Sequence, residues 1–593
     1  MSQPGTVRPT AVLRSGPPAA LLAAALLLGA ATAGPSAALP RDADRPVVDT
    51  AEGPVRGRAH GSYDTFEGIP YAAPPTGPLR WRLPSPAPRR AGMLDAGAPG
   101  SACVQIPPLG PATATGSEDC LFLNVTAPAA PGRERPVMVW FHPGGFRDGS
   151  GAAYRPEPLV VRGDVVVVTV NHRLGVFGLF GHPELGGAPN FALADQQAAL
   201  RWVRANAVAF GGDPDRVTVF GVSAGGLGVC AHLVSPASAG LFGRAVAQSG
   251  SCSTTMPPYA LLPTPGAYEP FVPERRTVAA GVAAARELGC GARPSTSALD
   301  CLRGLDATRL ATPGLMERFS LLSYGNGSLP RAPRRALESG RFNRVPVVQG
   351  TSRDEMRLFL SQVLPAYPVA DERAYRERLV RSFGAAAPSV GEAYPATRYP
   401  TAALAWAALL SDASFTCPAL RDSRALARHV PTYGYRFSDR DAPVFVPLPQ
   451  SPEFPFGASH GFELPYLFRV VDLAPAQQAL SERMTEYWTR FARTGSPNGT
   501  GGPSSGPWWP RVASASSPAP ASVLSLAAGP GGIRPVDAGA EHHCALWDAL
   551  PPFGGPDDAE LADVPAVPEV VAAVPEVPEV PVVPVVPVVP EGR

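Results

Sequence analysis

The stretch VFGVSAGG, residues 219–226, sets Ser223 one residue away from Gly221 on one side and Gly225 on the other. A β-branched run, RVTVFGV, leads into the serine, and AGGLGVCAHLVS, with the composition of a helix, leaves it. A serine on such a strand-to-helix turn has its Oγ lifted above a sheet, where it could attack a carbonyl carbon. Its hydroxyl is a weak nucleophile by itself. It needs an imidazole to take the proton and a carboxylate to orient that imidazole. His460, in GASHGFELPYLF, follows the strand-like TYGYRF, while Asp354 and Glu355, in GTSRDEMRLF, follow the strand-like VPVVQG. Nucleophile, acid and base therefore occur in a workable chain order, with Asp354 and Glu355 both open as the acid. His142, His172 and His232 sit in loop, strand and helix contexts and read as structural. A tetrahedral intermediate also requires N–H donors for its oxyanion. WFHPGGF, residues 140–146, offers Gly144 and Gly145 after a strand, and Ala224 offers a third N–H next to the nucleophile.

Positioning these groups takes a sheet. PVMVWFH (136–142) and DVVVVTVNH (164–172) are short β-branched runs of the kind buried on both faces, and ALADQQAALRWVRANAVAF (192–210) has apolar residues at helical spacing. RVPVVQGT (344–351) and PTYGYRFSD (431–439) read as later strands. Strands alternating with helices predict an α/β fold: a mostly parallel central sheet with helices on both faces and the site at the carboxyl ends of its strands. The stretches at 261–273 and 494–510 are rich in Pro and Gly and read as loops.

Of the 593 residues 17% are charged, and the net charge is +1. That balance excludes a nucleic-acid surface and favours a small, weakly charged partner. Two arginines followed by AALLAAALLLGAA and ATAG predict a signal peptide over residues 1–33 and hence a secreted, extracellular chain. The globular body is expected over 46–551, and the proline-punctuated segment 556–593 reads as a disordered Pro/Val-rich tail. No later stretch reads as a transmembrane segment. No cofactor or metal is expected, since CxxC is absent and His542, His543 and Cys544 lack a further ligand group at suitable spacing. Eight cysteines in an exported chain predict disulfides.

Several stretches together resemble the type B carboxylesterase family, which includes the cholinesterases: FEGIPYAAPPTGPLRWR, SEDCLFLNV, PVMVWFHPGGF, VNHRLGVFG, ADQQAALRWV, FGGDP, VFGVSAGG, QSGS, HGFELPYLF and FARTGSPN. The resemblance implies an α/β-hydrolase fold and a small-molecule ester as substrate. It implies Ser223 as nucleophile, Glu355 as acid in preference to Asp354, and His460 as base, with Gly144, Gly145 and Ala224 as oxyanion donors. Glu463 matches a further family acid, and Ser249 of QSGS belongs to the surrounding network. Disulfides Cys103–Cys120, Cys290–Cys301 and Cys417–Cys544 carry over, leaving Cys230 and Cys252 unpaired or paired with each other. Arg80–Glu118 and Arg173–Asp195 are the implied structural ion pairs. Pro143, Val222 and Met356 depart from the pattern, which has Gly, Glu and Gly there. Val222 is expected to take a negative charge away from His460, and Glu463 to retain part of it. The segment between Cys103 and Cys120 has no tryptophan of the kind that binds choline. The expected function is a secreted serine esterase working through an acyl-enzyme. The alternative is an adhesion protein on the same fold; such relatives typically lose triad residues, all of which are present here. A lipase would need a lid or lipid-binding surface that the sequence does not display.

Overall fold

Side chains alternate across the pleat of the strands, and one strand shows how this builds the molecule. Along Arg135–Phe141 every residue is buried. Val137, Val139 and Phe141 enter one apolar core while Met138 and Trp140 enter another on the opposite face. From Pro136 to Phe141 the run is apolar at every position, with no polar alternation, as a strand covered on both sides requires. The structure, a computed structural model, describes residues 45–553 apart from 108–112, 131, 133, 292–296, 449, 500–505, 515–521 and 552. The expected signal peptide and the Pro/Val tail lie outside the described residues.

The central sheet is 11-stranded. In chain order its strands are β1 (Arg58–Ala59), β2 (Tyr63–Pro70), β3 (Phe122–Pro128), β4 (Arg135–Phe141), β5 (Val166–Val170), β6 (Gly212–Val222), β7 (Arg244–Gln248), β8 (Val347–Ser352), β9 (Thr432–Phe437), β10 (Ser522–Leu526) and β11 (Arg534–Asp537). Across the sheet the order is β11-β10-β9-β8-β7-β6-β4-β5-β3-β2-β1. All pairs between β5 and β10 are parallel, and antiparallel pairs close both edges.

Helices α1 (Phe191–Asn206) and α2 (Ala224–Val234) cover the face of Val137 and Val139, through Leu193, Leu200 and Val203 of α1 and Leu227, Val229 and Leu233 of α2. Three further helices are α3 (Met356–Val363), α4 (Ala402–Ser411) and α5 (Cys417–Leu426). They share a third apolar cluster that includes Met356, Leu360, Trp406 and Leu420. Helix α6 (Pro475–Thr494) covers the face of Met138 and Trp140 with Leu480, Met484, Trp488 and Phe491. Burying each such side chain contributes about 1.5–3 kcal/mol relative to exposure.

Contrary to the expectation that no later stretch is long and apolar enough to span a bilayer, the helical run Ala402–Leu426 passes that test. Its most apolar window is 89% buried, which makes it a core element. Pro418 lies inside this run, and the turn directly before it, Asp412–Thr416, is widened to a π-helix, which accommodates a residue that has no N–H to donate. The Pro/Gly-rich stretch at 261–273 ends in a short strand, Phe271–Pro273, paired in parallel with Leu322–Tyr324.

All the cysteines are bonded: Cys103–Cys120, Cys290–Cys301 and Cys417–Cys544, together with Cys230–Cys252, which the sequence left open. Arg80 holds Glu118 by two bonds of 2.7 and 2.6 Å and also donates to the carbonyls of Leu302, Arg303 and Leu305. Arg173 holds Asp195 at 2.8 and 2.7 Å. Burial nevertheless pushes the Asp195 carboxyl upward, against the pull of that guanidinium. His542 bonds Asp412 at 2.5 Å and Arg436 at 2.8 Å, and Cys544 is in its disulfide, so the His-His-Cys cluster is occupied by structural contacts.

Candidate active site

Ser223 follows β6 directly and adopts φ 59°, ψ −122°, a conformation that non-glycine residues rarely take. The glycines around it are needed for space. A Cβ on Gly225 would lie 2.0 Å from the Phe141 carbonyl oxygen, and one on Gly221 would lie 2.7 Å from both that oxygen and Gly225. The turn is thereby pressed against the end of β4, and α2 starts immediately at Ala224. The Ser223 N–H donates to the Gln248 carbonyl at 2.9 Å, fixing the turn to the end of β7. Ala224, at the first helical position, is one of the residues whose N–H has no intrahelical acceptor.

The second glycine-rich turn leaves β4. Gly144 has φ 117° and Gly145 φ 60°, and a Cβ on Gly144 would meet the Asp148 carbonyl oxygen at 2.1 Å. The N–H groups of Arg147 and Asp148 both donate to the Gly144 carbonyl, which closes the turn. Pro143 contributes its carbonyl to His142 Nδ1 at 2.8 Å. The His142 ring stacks on His172, with centroids 4.5 Å apart. Burial pushes His142 down to about 3, with His172 adding to the effect, and His172 down to about 4. Burial likewise pushes His232 down to about 3, and this ring bonds Ser238 and Gln196. At neutral pH these rings are uncharged packing elements.

Glu355 and His460 meet. Glu355 lies just past the end of β8, fully buried, and its Oε1 accepts the Ser352 N–H at 2.6 Å. Its Oε2 and His460 Nδ1 are 2.6 Å apart. The imidazole packs between Phe359 and Phe415, at centroid distances of 4.8 and 5.2 Å, and its Nε2 has no hydrogen-bond partner among the described residues. Ser223 lies on the same carboxyl edge, since Gln248 at the end of β7 is level with Val222 on one side and with Gly350 on the other.

Asp354 takes another task. It binds Arg440 at 2.9 and 2.7 Å and Arg357 at 3.0 Å. Its N–H donates to the Ala458 carbonyl and its carboxylate accepts the Ala458 N–H, two residues before His460. It anchors the histidine's loop while its neighbour holds the histidine. Residue chemistry alone left the two acids open; the family resemblance pointed to Glu355 as the histidine's partner but carried no signal for the task of Asp354.

Glu463 is fully buried, with Oε1 at 3.3 Å from Gln248 Nε2 and 3.5 Å from the Tyr435 hydroxyl, and with Oε2 unpartnered among the described residues. Burial first, and the nearby Glu355 second, push its carboxyl up to about 7. Ser249, at φ 47°, is also buried and its Oγ has no partner among the described residues. Val222 is fully buried in the apolar cluster of the α6 face. Met356 is fully buried, with its N–H donating to Ser411 Oγ. Among the described residues no group of three or more His, Cys, Asp or Glu side chains is placed to hold a metal ion.

A profile of the carboxylesterase family matches residues 44–547. The para-nitrobenzyl esterase of Bacillus subtilis (strain 168) is 34% identical over 471 residues, covering 76% of this chain and 90% of that protein. A cocaine esterase of Oryctolagus cuniculus is 34% identical over 498 residues, covering 78% of this chain and 90% of its own. A solved structure of PNB esterase superimposes with a TM-score of 0.67 at 29% identity, covering 84% of this chain and 99% of the other. With the sheet, the helices on both its faces and the serine turn at its carboxyl edge, the chain belongs to the carboxylesterase family of α/β-hydrolases and is a carboxylic ester hydrolase.

Proposed function

We propose that this chain hydrolyses small carboxylic esters through an acyl-enzyme formed on Ser223. His460 Nε2 takes the Ser223 proton as Oγ attacks the ester carbonyl, and Glu355, bound to Nδ1, fixes the tautomer and stabilises the imidazolium. The N–H groups of Gly144, Gly145 and Ala224 receive the oxyanion, and each such donor is commonly worth about 10²–10³ in rate. The alcohol leaves with the proton from His460. Water, activated by the same imidazole, then releases the acid. Phe359 and Phe415 give the histidine side of the site an apolar, aromatic wall.

The observation that carries this reading is the 2.6 Å Glu355–His460 contact, with the opposite imidazole nitrogen unpartnered on the sheet edge that also bears Ser223. The test is stoichiometric labelling of Ser223 by an organophosphonate, together with hydrolysis of a short-chain aryl ester. Ser223→Ala should abolish labelling and nearly all turnover; retention of wild-type turnover would refute the assignment. We further propose that residues 1–33 direct export and are removed, that 46–551 form the catalytic body, and that 556–593 are dispensable for it. The four disulfides favour an oxidising compartment. The N-terminal sequence of the exported protein checks the first point, and ester hydrolysis by a chain ending at 555 checks the last.

A further inference from the structure

The segment Gln248–Thr254 forms the rear wall of the nucleophile turn. Gln248 accepts the Ser223 N–H. A Cβ on Gly250 would lie 2.4 Å from the Ser223 carbonyl oxygen, and one on Gly226 would lie 2.6 Å from that of Gln248, so wall and turn touch with no spare room. Each side of this contact carries a non-glycine residue at positive φ, Ser223 at 59° in the turn and Ser249 at 47° in the wall. Such conformations persist only where the surroundings over-determine them.

The tethers that over-determine the wall lie just beyond it. Ser253 donates its N–H and its hydroxyl to the two oxygens of buried Asp422 on α5, at 2.8 and 2.6 Å. Ser251 and Thr254 bond each other. Cys252 is covalently joined to Cys230, about two turns along the helix that Ser223 initiates. One bond therefore ties the helix leaving the turn to the wall behind it. None of the other disulfides joins either element.

We propose that the Cys230–Cys252 disulfide is a positioning element for Ser223, holding α2 and the 248–254 segment at the spacing that keeps the nucleophile turn in its strained conformation. This rests on the reading of Ser223 as nucleophile. Removing the bond lets α2 and the wall relax apart, and displacements of about 1 Å at a reacting group can cost on the order of 10²-fold in rate.

The test compares wild type, Cys230→Ala/Cys252→Ala and a control, Cys290→Ala/Cys301→Ala, which removes a disulfide of similarly short span. Expected for the first variant is a fall in kcat of at least about tenfold with KM within twofold, and an equal fall in the rate of phosphonate labelling at Ser223. The control should keep all three within twofold. Unchanged kcat and labelling in the first variant, or an equal loss in the control, would overturn the proposal. Absence of labelling at Ser223 in wild type would overturn both this proposal and the esterase reading, whereas normal labelling that ignores the disulfide overturns this proposal alone. Should the double variant fail to fold, the folded wild type is treated with dithiothreitol. The reagent is oxidised to its cyclic disulfide as protein disulfides become thiol pairs, and Cys252, though buried, lines a cleft of about 550 Å³. Loss of kcat should track the opening of Cys230–Cys252 mapped by mass spectrometry. Full kcat with that pair reduced would overturn the proposal.

Discussion

Replacing Glu463 by glutamine keeps the shape of a fully buried side chain and removes its titration. The groups acting on this carboxyl are Glu355, His460, Gln248 and the Tyr435 hydroxyl, and burial is the largest influence. Its proton affinity rises from the ordinary 4.5 to about 7. At about 1.4 kcal/mol for each tenfold change, the difference amounts to roughly 3 kcal/mol. The raised value fixes the sign. Below 4.5 the carboxyl is protonated both folded and unfolded, and its contribution is fully present. As pH climbs to 7 the unfolded chain ionises freely while the folded one holds the proton, and stability drains away until the folded group also ionises. The glutamine side chain of the variant cannot titrate, and its amide contributes only a constant offset. Urea unfolding of both proteins without reductant, near pH 5 and near pH 8.5, should show the stability of Glu463→Gln relative to wild type rising by about 2–3 kcal/mol between the two conditions. A difference that stays constant across that range would refute the raised proton affinity and the electrostatic pairing with Glu355 behind it.

Other outcomes follow from the same geometry. Val222→Glu places a carboxyl in a fully buried apolar cluster and should lower stability at neutral pH by at least about 2 kcal/mol, less so in acid, as measured by denaturant midpoints. Gly225→Ala, with its Cβ 2.0 Å from the Phe141 oxygen, should remove ester hydrolysis and lower Tm together, whereas Gly92→Ala, with open space around it and no left-handed φ, should leave both intact. Losing Cys417–Cys544, which spans 127 residues, should cost on the order of 5 kcal/mol in the chain-entropy account. Peptide mapping without reduction should recover these two cysteines linked, and two free thiols would contradict the pairing.

The sheet was legible because central strands such as β4 and β5 carry long apolar, β-branched runs, and the serine turn because Gly221, Ser223 and Gly225 must be spaced as they are. What stayed hidden is what depends on contacts distant in the chain. Trp509 sits in a Pro/Gly-rich stretch that reads as a surface loop, yet it is fully buried and its indole donates to the Gly434 carbonyl at 2.8 Å, while its neighbour Trp508 is exposed. Adjacent identical residues give no local signal of which one turns inward. Val222 raised an electrostatic expectation about His460, but its side chain belongs to the apolar layer of the α6 face, so packing is what it answers to first. Asp354 and Glu355 could not be separated by residue chemistry alone, because their tasks differ only in which partners a later loop brings within reach.

The strand order also bears on synthesis. From β6 to β11, position in the sheet follows position in the chain, so each strand emerging after β6 finds its neighbour already made and an open edge to join. Within this sheet, among the described residues, only β5 must enter between two earlier strands, β3 and β4. A chain delivered N-terminus first, whether from a ribosome or through a translocation pore, can therefore extend its hydrophobic platform one strand at a time. His460 lies in the loop after β9, so on the proposed assignment the catalytic set is completed late, long after the turn that carries Ser223 has formed.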